Sequence, residues 1–395
     1  MNDYRILGPF SIEAVSSTVV LTGFNDAIIE FLSRISAELL SSPEAKRFPD
    51  LAAFAFFIRK ANLRKMKQEK LAIQNSVFLG VGLTFHIASA NVPLNFAYSL
   101  VSALLCGNPS IVRVSSKHFE QAEILLQKFV SAAKRMKIGA WFTFVRYQRG
   151  DPFSEELSLL CRVRMIWGGN ETVRVFKAMD VKENCIDIIF PNKYSIAVID
   201  TKRYLKDPNK IQVSRDFYDE VYTFDQNACT SPRAVVWVGD DDTNTLARAT
   251  FWDTLAEIIA AKNYESSISA SVKHFSSYAF HAANGHVSFC SEYSSRNATV
   301  LQLDSISSGI FTKHPGEGLF YDVCVSDVSA LSRLVTEECQ TVLTVGIENN
   351  EIIKWIIESG TLGIDRVCRL GSGSIFSLNW DGKDLFAILT RKFTK

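Results

Sequence analysis

Strand and helix patterns alternate along residues 77–199, and this alternation narrows the choice of fold more than any other feature of the sequence. Strand–helix–strand alternation at these lengths predicts parallel strands joined by right-handed crossovers. We therefore expect a doubly wound α/β domain in the first half of the chain. The predicted strands are Val77–His86, Ser110–Val114, Trp141–Tyr147, Val163–Trp167, Cys185–Phe190 and Ser195–Ile199, and the predicted helices are Asn95–Cys106, His118–Met136, Pro152–Leu160 and Glu171–Met179.

The second half of the chain also has α/β character, and the sequence as a whole predicts four regions. Residues 1–74 are helical, with Asn25 capping the helix Asp26–Leu40. An α/β domain follows over 75–201, and the charged stretch Lys202–Arg215 marks a boundary before a second α/β domain over 202–368. Residues 263–298 show no clear pattern. The tail, 369–395, ends in a predicted amphipathic helix, Lys383–Phe393. The second domain is predicted to contain helices Asp216–Tyr222 and Asp242–Lys262 and strands Arg233–Val238, Val300–Leu303, Phe320–Val325 and Gln340–Gly346.

Composition excludes several classes of function. Lys+Arg is 43 and Asp+Glu is 42, a balance that excludes an electrostatic nucleic-acid binder and a polybasic membrane-surface protein. The apolar run Leu71–His86 is interrupted well before the roughly 20 residues that a membrane span needs, and the first twenty residues do not resemble a signal peptide. The eight cysteines form no Cys-x-x-Cys pair. We therefore expect reduced thiols in a cytoplasmic protein and, since His286 and Cys290 have few neighbouring ligands, no metal.

The common nucleotide and hydrolase motifs are absent. There is no Walker loop and no Gly-x-Gly-x-x-Gly, because Gly80-Val-Gly82 lacks the third glycine and falls inside a predicted strand. A Gly-x-Ser-x-Gly nucleophile elbow is also missing. Four unusual stretches are left to be explained together: residues 222–232 around Cys229, 86–93 around Asn91, 106–116 around Arg113 and 166–173 around Gly168 and Gly169.

Each of these stretches is weak evidence when taken alone. Most cysteines in a reduced protein are small core residues, and an asparagine before Val-Pro or a glycine pair is usually a turn. Cys229 differs because small and polar neighbours allow a substrate to approach the thiol. Asn91 follows a strand at its carboxyl end, where open α/β sheets bind ligands. The order and spacing of the four stretches carry the interpretation.

The set resembles the aldehyde dehydrogenase superfamily, which combines an Asn-x-Pro loop, a Gly-Asn strand ending in a cation, a glycine turn opening a helix, and a nucleophilic cysteine. Within it, the chain resembles the acyl-CoA reductase family typified by LuxC, the fatty-acid reductase subunit of bacterial bioluminescence. The resemblance covers roughly residues 75–390. It rests on Asn-Val-Pro (91–93), Gly-Asn-Pro-Ser-Ile-Val-Arg (107–113), Trp-Gly-Gly (167–169), Ala-Cys-Thr-Ser-Pro (228–232) and Trp-Asp-Gly (380–382).

The resemblance implies an aldehyde-dehydrogenase-like fold with a nicotinamide-cofactor domain over 75–201 and a catalytic domain over 202–368. Cys229 matches the nucleophile, and Asn91 matches the asparagine that forms the oxyanion hole with the nucleophile's backbone N–H. Arg113 stands where relatives carry a lysine that contacts the adenosine ribose. Gly168 and Gly169 match the turn beneath the cofactor. Glu338 matches the glutamate that holds the nicotinamide ribose, although the Phe-Gly-Pro that normally follows is lost.

The chain also departs from typical aldehyde dehydrogenases. Their Glu-Leu-Gly-Gly motif supplies a glutamate that activates water, whereas the corresponding stretch here reads Ile188-Ile-Phe-Pro-Asn192. The nearest carboxylate, Asp187, would point to the opposite face of a strand. Relatives that use NAD also carry a glutamate three residues after the ribose-contacting cation, and here that position is Ser116, beside Ser115 and Lys117. This polar, basic segment predicts a preference for NADPH.

The resemblance therefore implies NADPH-dependent reduction of a fatty acyl thioester to the aldehyde through an acyl-cysteine. The acyl donor is acyl-CoA or an acyl group on a carrier protein, with an acyl-protein synthetase as a possible partner. Relatives usually oligomerise through a strand-bearing tail, so Arg369–Leu378 is a candidate contact in a homo-oligomer. Two alternatives stay open: a dehydrogenase that oxidises aldehydes, and a non-catalytic scaffold on the same fold.

Overall fold

A computed structural model describes residues 5–72, 75–293, 297–304 and 308–394. Within these ranges the α-helices are α1 (Ile12–Ser16), α2 (Asp26–Leu40), α3 (Pro43–Arg47), α4 (Pro49–Phe57), α5 (Lys60–Lys70), α6 (Asn95–Leu105), α7 (Glu120–Met136), α8 (Phe153–Leu160), α9 (Asn170–Lys177), α10 (Thr201–Lys206), α11 (Lys210–Tyr222), α12 (Asp241–Ala261), α13 (Ile268–Ala283), α14 (Asn349–Ser359) and α15 (Leu385–Leu389). Among the described helices, none combines the length and the apolar character that a membrane crossing requires.

The strands of the described ranges follow the same chain order. They are β1 (Arg5–Ile6), β2 (Ser76–Gly80), β3 (Thr84–Ile87), β4 (Ser110–Arg113), β5 (Phe142–Arg146), β6 (Val163–Trp167), β7 (Ile186–Phe190), β8 (Tyr194–Asp200), β9 (Pro232–Val238), β10 (Val287–Tyr293), β11 (Ala298–Leu303), β12 (Leu319–Val325), β13 (Cys339–Val345), β14 (Arg366–Arg369), β15 (Asn379–Trp380), β16 (Lys383–Asp384) and β17 (Thr390–Thr394). Short 3₁₀ turns lie at Ser308–Lys313 and Val328–Arg333.

The chain divides into two compact domains. The first comprises Met1–Asn192 together with Phe376–Lys395, and the second comprises Lys193–Ile375. The predicted boundary after residue 201 is therefore displaced, because β8 pairs in parallel with β9 and β13 and so belongs to the second sheet. Residues 1–74 do not stand apart either. Buried side chains of α2, α4 and α5 share one apolar cluster with the helices and strands of the first sheet.

The first sheet has the strand order β1-β5-β4-β3-β6-β7. The five strands from β5 to β7 pair in parallel, and only the short edge strand β1 is antiparallel. Neighbouring residues of β4 face opposite apolar clusters, Ile111 on one side and Val112 on the other. A parallel sheet that is covered on both faces is what the strand–helix alternation predicts, and here the prediction is confirmed.

Two stretches of the first domain differ from their predicted form. The predicted strand Val77–His86 is two strands, because Gly82 has a φ of +142° and breaks the extended run between β2 and β3. Gly80 and Gly82 thus lie at and beyond the end of a strand, not inside one. The predicted helix Lys383–Phe393 shortens to α15, since Thr390–Thr394 forms β17 and pairs antiparallel with β2. The apolar residues of α15 still enter the core, which explains the helical pattern.

The second sheet has the order β10-β11-β12-β9-β8-β13-β14, with β10 antiparallel and the other strands parallel. The charged stretch Lys202–Arg215 is not a linker. It contains α10 and the beginning of α11, with Tyr204 fully buried and the charged side chains mostly at the surface. The unassigned stretch 263–298 forms α13 and β10, apart from residues 294–296, which lie outside the described part.

Candidate functional site

Most of the predicted site residues of the first domain meet at one edge of the first sheet. Asn91 follows β3, Arg113 ends β4, and Gly168 and Gly169 follow β6. Because β4, β3 and β6 are adjacent and parallel, their carboxyl ends lie along the same edge. The carboxyl edge of a parallel sheet is the usual ligand-binding edge of an open α/β domain.

Asn91 lies in the exposed loop between β3 and α6. The loop is held by the Asn95 side-chain oxygen, which accepts a hydrogen bond from the Ser89 backbone N–H at 3.4 Å. Within the described residues the Asn91 amide itself has no hydrogen-bond partner. Its N–H donors are thus available to a ligand.

Arg113 is half-buried against Tyr147. Its guanidinium lies 4.8 Å from the centre of the tyrosine ring and donates a long hydrogen bond of 3.4 Å to the Tyr147 backbone oxygen. The buried Nε atom has no partner among the described residues, and burial lowers the pKa of this guanidinium from its ordinary value. A buried donor without an acceptor is costly, so this position suits an anionic or hydroxyl-bearing ligand.

Ser115, Ser116 and Lys117 continue from β4 toward α7. The Ser115 hydroxyl oxygen accepts from the Lys117 backbone N–H at 3.0 Å, and the Ser116 hydroxyl donates to the Tyr147 backbone oxygen at 3.3 Å. Neither serine caps α7, whose first residue is Glu120. Ser115 and Lys117 instead line a small cavity of about 20 Å³ beside Ala88 and Ser89, and the Lys117 ammonium lies over the Phe119 ring.

Gly168 and Gly169 form the turn that opens α9. A side chain at Gly168 would place its Cβ 3.0 Å from the Thr172 Cβ, and one at Gly169 would meet the Asn192 side chain at 3.3 Å. Small residues are therefore needed for the backbone to approach the first turn of α9 closely. Free backbone N–H groups at a helix N-terminus favour phosphate oxygens, so a dinucleotide fits this turn.

In the second domain, Cys229 lies at the amino edge of the sheet, whereas the site residues of the first domain lie at a carboxyl edge. Cys229 precedes β9, in a loop that begins after α11, and so lies at the amino end of the parallel strands. The Ser195 hydroxyl on β8 donates to the Cys229 backbone oxygen at 2.6 Å. Gln226 anchors the same loop, since its buried amide donates to the backbone oxygens of Pro232 and Leu319 at 2.9 and 2.8 Å. The cysteine is thereby fixed, with its side chain only partly buried.

Two polar neighbours of the Cys229 thiol lie on β9 and β13, the strands on either side of β8. The Gln340 amide nitrogen, on β13, donates to the sulfur at 3.1 Å. The Arg233 guanidinium, on β9, interacts electrostatically with the Cys229 thiol, which raises the arginine pKa while burial lowers it more strongly. Within the described ranges Arg233 forms no ion pair with a carboxylate. A cation and an N–H donor beside a thiol stabilise its anionic form.

Glu338 lies at this amino edge too, immediately before β13. Its side chain is exposed, and its backbone oxygen accepts from the Tyr194 N–H at 3.0 Å. Its carboxylate is thus accessible to a ligand.

Sequence reasoning missed Gln340, Arg233, Ser195 and Gln226. One signal was present for Gln340, because a glutamine in an apolar buried strand requires a hydrogen-bond partner.

Asp187, the carboxylate nearest in sequence to the position of the missing glutamate, forms an ion pair with Arg164. It receives two hydrogen bonds of 2.7 Å from the buried Arg164, while Ile188 is buried in the apolar core. Within the described residues no group of three potential ligands for a metal ion is found.

Solved structures with the same fold are aldehyde dehydrogenases. A variant of 1-pyrroline-5-carboxylate dehydrogenase from Thermus thermophilus aligns with a TM-score of 0.65 over 93% of this chain and 80% of its own, at 12% identity. Lactaldehyde dehydrogenase from Escherichia coli aligns with a TM-score of 0.65 over 93% and 85%, at 14% identity. The expected aldehyde-dehydrogenase-like fold is thus confirmed, and identities this low concern the fold alone.

Similarity at the sequence level leads to one family. The long-chain acyl-protein thioester reductase of Aliivibrio fischeri is 25% identical over 173 residues, which is 40% of this chain and 33% of that protein. A second reductase of that name, from Photobacterium leiognathi, is 25% identical over 162 residues. The matches span about a third of the length of these relatives. The family model described as acyl-CoA reductase (LuxC) matches residues 56–391, most of the chain, and the chain therefore belongs to that family.

Proposed function

We propose that this protein reduces a fatty acyl thioester to the aldehyde, using NADPH and an acyl-cysteine intermediate on Cys229. The observation that carries the proposal is the setting of Cys229. Its thiol is partly accessible in a loop anchored by Ser195 and Gln226, and its sulfur accepts a hydrogen bond from Gln340. Most cysteines in a protein interior have none of these features. Membership of the acyl-CoA reductase family supplies the substrate class.

The first step forms a new carbon–sulfur bond. The Cys229 thiolate attacks the thioester carbonyl carbon, the carbonyl oxygen becomes an oxyanion, and the original carbon–sulfur bond breaks as the carrier thiolate leaves and takes up a proton. The acyl group remains on Cys229 as a thioester. In this proposal the Asn91 amide donates to the oxyanion, a contact worth about 3–4 kcal/mol in the transition state. Its exposed, unpartnered amide supports this role.

The second step consumes the acyl-cysteine. The cofactor, when bound, supplies a hydride to the acyl carbon. The carbon–sulfur bond to Cys229 then breaks, the thiolate is regenerated, and the aldehyde is released. Residues assigned to hold the dinucleotide are Arg113 with Ser115 and Ser116, the Gly168–Gly169 turn, and Glu338. The orphaned Nε of Arg113 and the close approach required at Gly168 support the first two assignments.

Water should not compete well for the acyl group. A positioned general base typically contributes about 10²–10⁴-fold to hydrolysis. The stretch Ile188–Asn192 contains no carboxylate, and Asp187 is ion-paired with Arg164. These observations favour a reductase over a dehydrogenase that oxidises aldehydes, because the oxidative reaction ends in hydrolysis of the same acyl-cysteine.

The test is to incubate the protein with a long-chain acyl-CoA in the absence of NADPH. Intact-mass spectrometry should show one acyl group per chain, and peptide mapping should place it on Cys229. Adding NADPH should release aldehyde, and adding free thiol should restore a thioester. The variant Asn91→Ala should form the adduct roughly 10²–10³-fold more slowly.

Two results would contradict the proposal. Hydrolysis of the adduct to fatty acid within seconds would identify a thioesterase or a conventional dehydrogenase. Absence of any adduct, with a thiol that does not react with small alkylating agents, would indicate a scaffold without activity.

Repeating the assay with an acylated carrier protein separates the two candidate acyl donors. A homo-oligomer that uses Arg369–Leu378, and an acyl-protein synthetase partner, remain predictions that co-purification and light scattering can check.

A further inference from the structure

Two buried glutamines lie at the amino edge of the second sheet, and they do different things. Gln226 is 1% exposed, and within the described part of the chain its side chain binds backbone groups only. It donates to the Pro232 and Leu319 oxygens and accepts from the Gly318 N–H at 2.9 Å. Gln340 is 2% exposed, but its amide nitrogen is directed at the Cys229 sulfur. The first glutamine closes a loop, and the second contacts the reactive atom.

A neighbouring hydroxyl contacts the oxygen end of the Gln340 amide. The Thr341 hydroxyl donates to the Gln340 side-chain oxygen at 3.3 Å, and the amide nitrogen faces the sulfur. The N–S distance of 3.1 Å is short for a thiol, which is a weak acceptor, whereas a thiolate is a strong one. A hydrogen bond to an anionic acceptor is stronger than one to a neutral thiol, so this contact favours deprotonation of Cys229.

Charge around the sulfur acts in the same direction. Arg233 on β9 is a charged group that interacts with Cys229, and Tyr321 on β12 and His314 face Arg233. Burial keeps His314 neutral by lowering its pKa well below the ordinary value, and it raises the pKa of Tyr321 so that the phenol stays protonated. Ser195 on β8 and Gln340 on β13 also contact Cys229, and both are uncharged. Arg233 therefore places a positive charge near the sulfur.

We propose that Gln340 is a catalytic residue that stabilises the Cys229 thiolate by donating a hydrogen bond to its sulfur. The inference rests on the proposed function and names a residue outside the predicted site. Gln340 acts twice: it favours the thiolate before it attacks the thioester, and it stabilises the same thiolate when the carbon–sulfur bond breaks to release the aldehyde. It occupies the stretch in which the family's Phe-Gly-Pro is replaced by Gln-Thr-Val (340–342).

The experiment measures how fast Cys229 is alkylated by iodoacetamide between pH 6 and 10 in the full-length chain. It needs neither substrate nor cofactor, so its result does not depend on whether aldehyde is made. The variants are Gln340→Met, which keeps the volume and removes the donor, and Gln340→Glu, which adds a negative charge. Gln302→Met is the matched control, since Gln302 lies on β11 and pairs with Arg248. The exposed thiol of Cys324 is an internal reference in every sample.

Gln340→Met should alkylate about 10-fold more slowly than the unmodified protein at pH 7, with the two rates converging near pH 10, because a hydrogen bond to a charged group is lost. Gln340→Glu should be slower still. Gln302→Met and the Cys324 rate should be unchanged. A Gln340→Met profile that coincides with that of the unmodified protein would overturn the proposal. If Gln340→Met does not fold, the Gln340→Glu profile decides the question by the same criterion.

Discussion

The two parallel sheets carry their site residues at opposite kinds of edge. In the first domain, Asn91 and the Gly168–Gly169 turn follow their strands and Arg113 ends one, at positions that are exposed or only partly covered. In the second domain Cys229 and Gln340 lie where strands begin, and a network of buried side chains holds them. A loop that receives a ligand needs open backbone and space. A reactive thiol instead needs fixed partners and a controlled charge, which buried strand ends supply.

The largest effect that this comparison predicts concerns the cysteines of the two domains. Cys229→Ala should lower thioester reduction by at least about 10⁴-fold, because no other group forms the acyl-enzyme. Alanine at the three first-domain cysteines 106, 161 and 185 should leave turnover within about twofold and cost about 1 kcal/mol of unfolding free energy at the buried ones. The measurements are NADPH oxidation with acyl-CoA and urea unfolding. Turnover near normal in Cys229→Ala would remove the distinction between the domains.

A smaller effect concerns the cofactor and the first domain alone. We expect kcat/KM to be at least about 10-fold higher with NADPH than with NADH, because Ser115, Ser116 and Lys117 offer donors and a cation to a 2′-phosphate. Lys117→Ala should reduce the NADPH value by about 10-fold and leave the NADH value nearly unchanged. Lys134→Ala, an exposed lysine at the far end of α7, is the matched control. A clear preference for NADH would refute the assignment.

The smallest effect is a difference in pH dependence between the two domains. Burial lowers the pKa of His86 in the first domain to about 3 and raises the pKa of Glu220 in the second to about 7. His86 stays neutral in the native state, so stability is lost as pH falls below 6.5, where the unfolded chain binds a proton. Glu220 has the opposite effect on stability. Its carboxyl binds a proton at a higher pH in the native state than in the unfolded chain, so its stabilising contribution is lost as pH rises through 7.

Urea unfolding at pH 7.5 and 5.5 tests both signs. Acidification should lower the free energy of unfolding by about 1.4 kcal/mol through His86 and raise it by about 1–2 kcal/mol through Glu220. His86→Asn, which removes the titrating group beside Ser99 and Ser110, should therefore make the protein gain stability on acidification relative to the unmodified chain. Glu220→Gln should make it lose stability. Equal pH dependence in all three proteins would show that neither group is linked to folding.

Local pattern was sufficient for much of the first domain. Strand Val163–Trp167 has the predicted bounds, and Asn25 caps α2 by accepting from the Ala27 N–H at 3.0 Å. The pattern failed where a partner distant in sequence decides the structure. Thr390–Thr394 reads as the end of a helix, yet it pairs with Ser76–Gly80 more than three hundred residues away. Periodicity within a segment contains no information about such a partner.

The sequence by itself determined the fold class, the family motifs and the residues proposed for the site, because each depends on short stretches whose order along the chain is sufficient. Tertiary structure decided what surrounds those residues. Gln340 reaches Cys229 from 111 positions away because β8 and its neighbours β9 and β13 begin at one edge of the same sheet. The Asp187 carboxylate accepts hydrogen bonds from Arg164 on the adjacent strand. Strand order, which brings distant residues into contact, follows from the packing of the whole domain and not from any single segment.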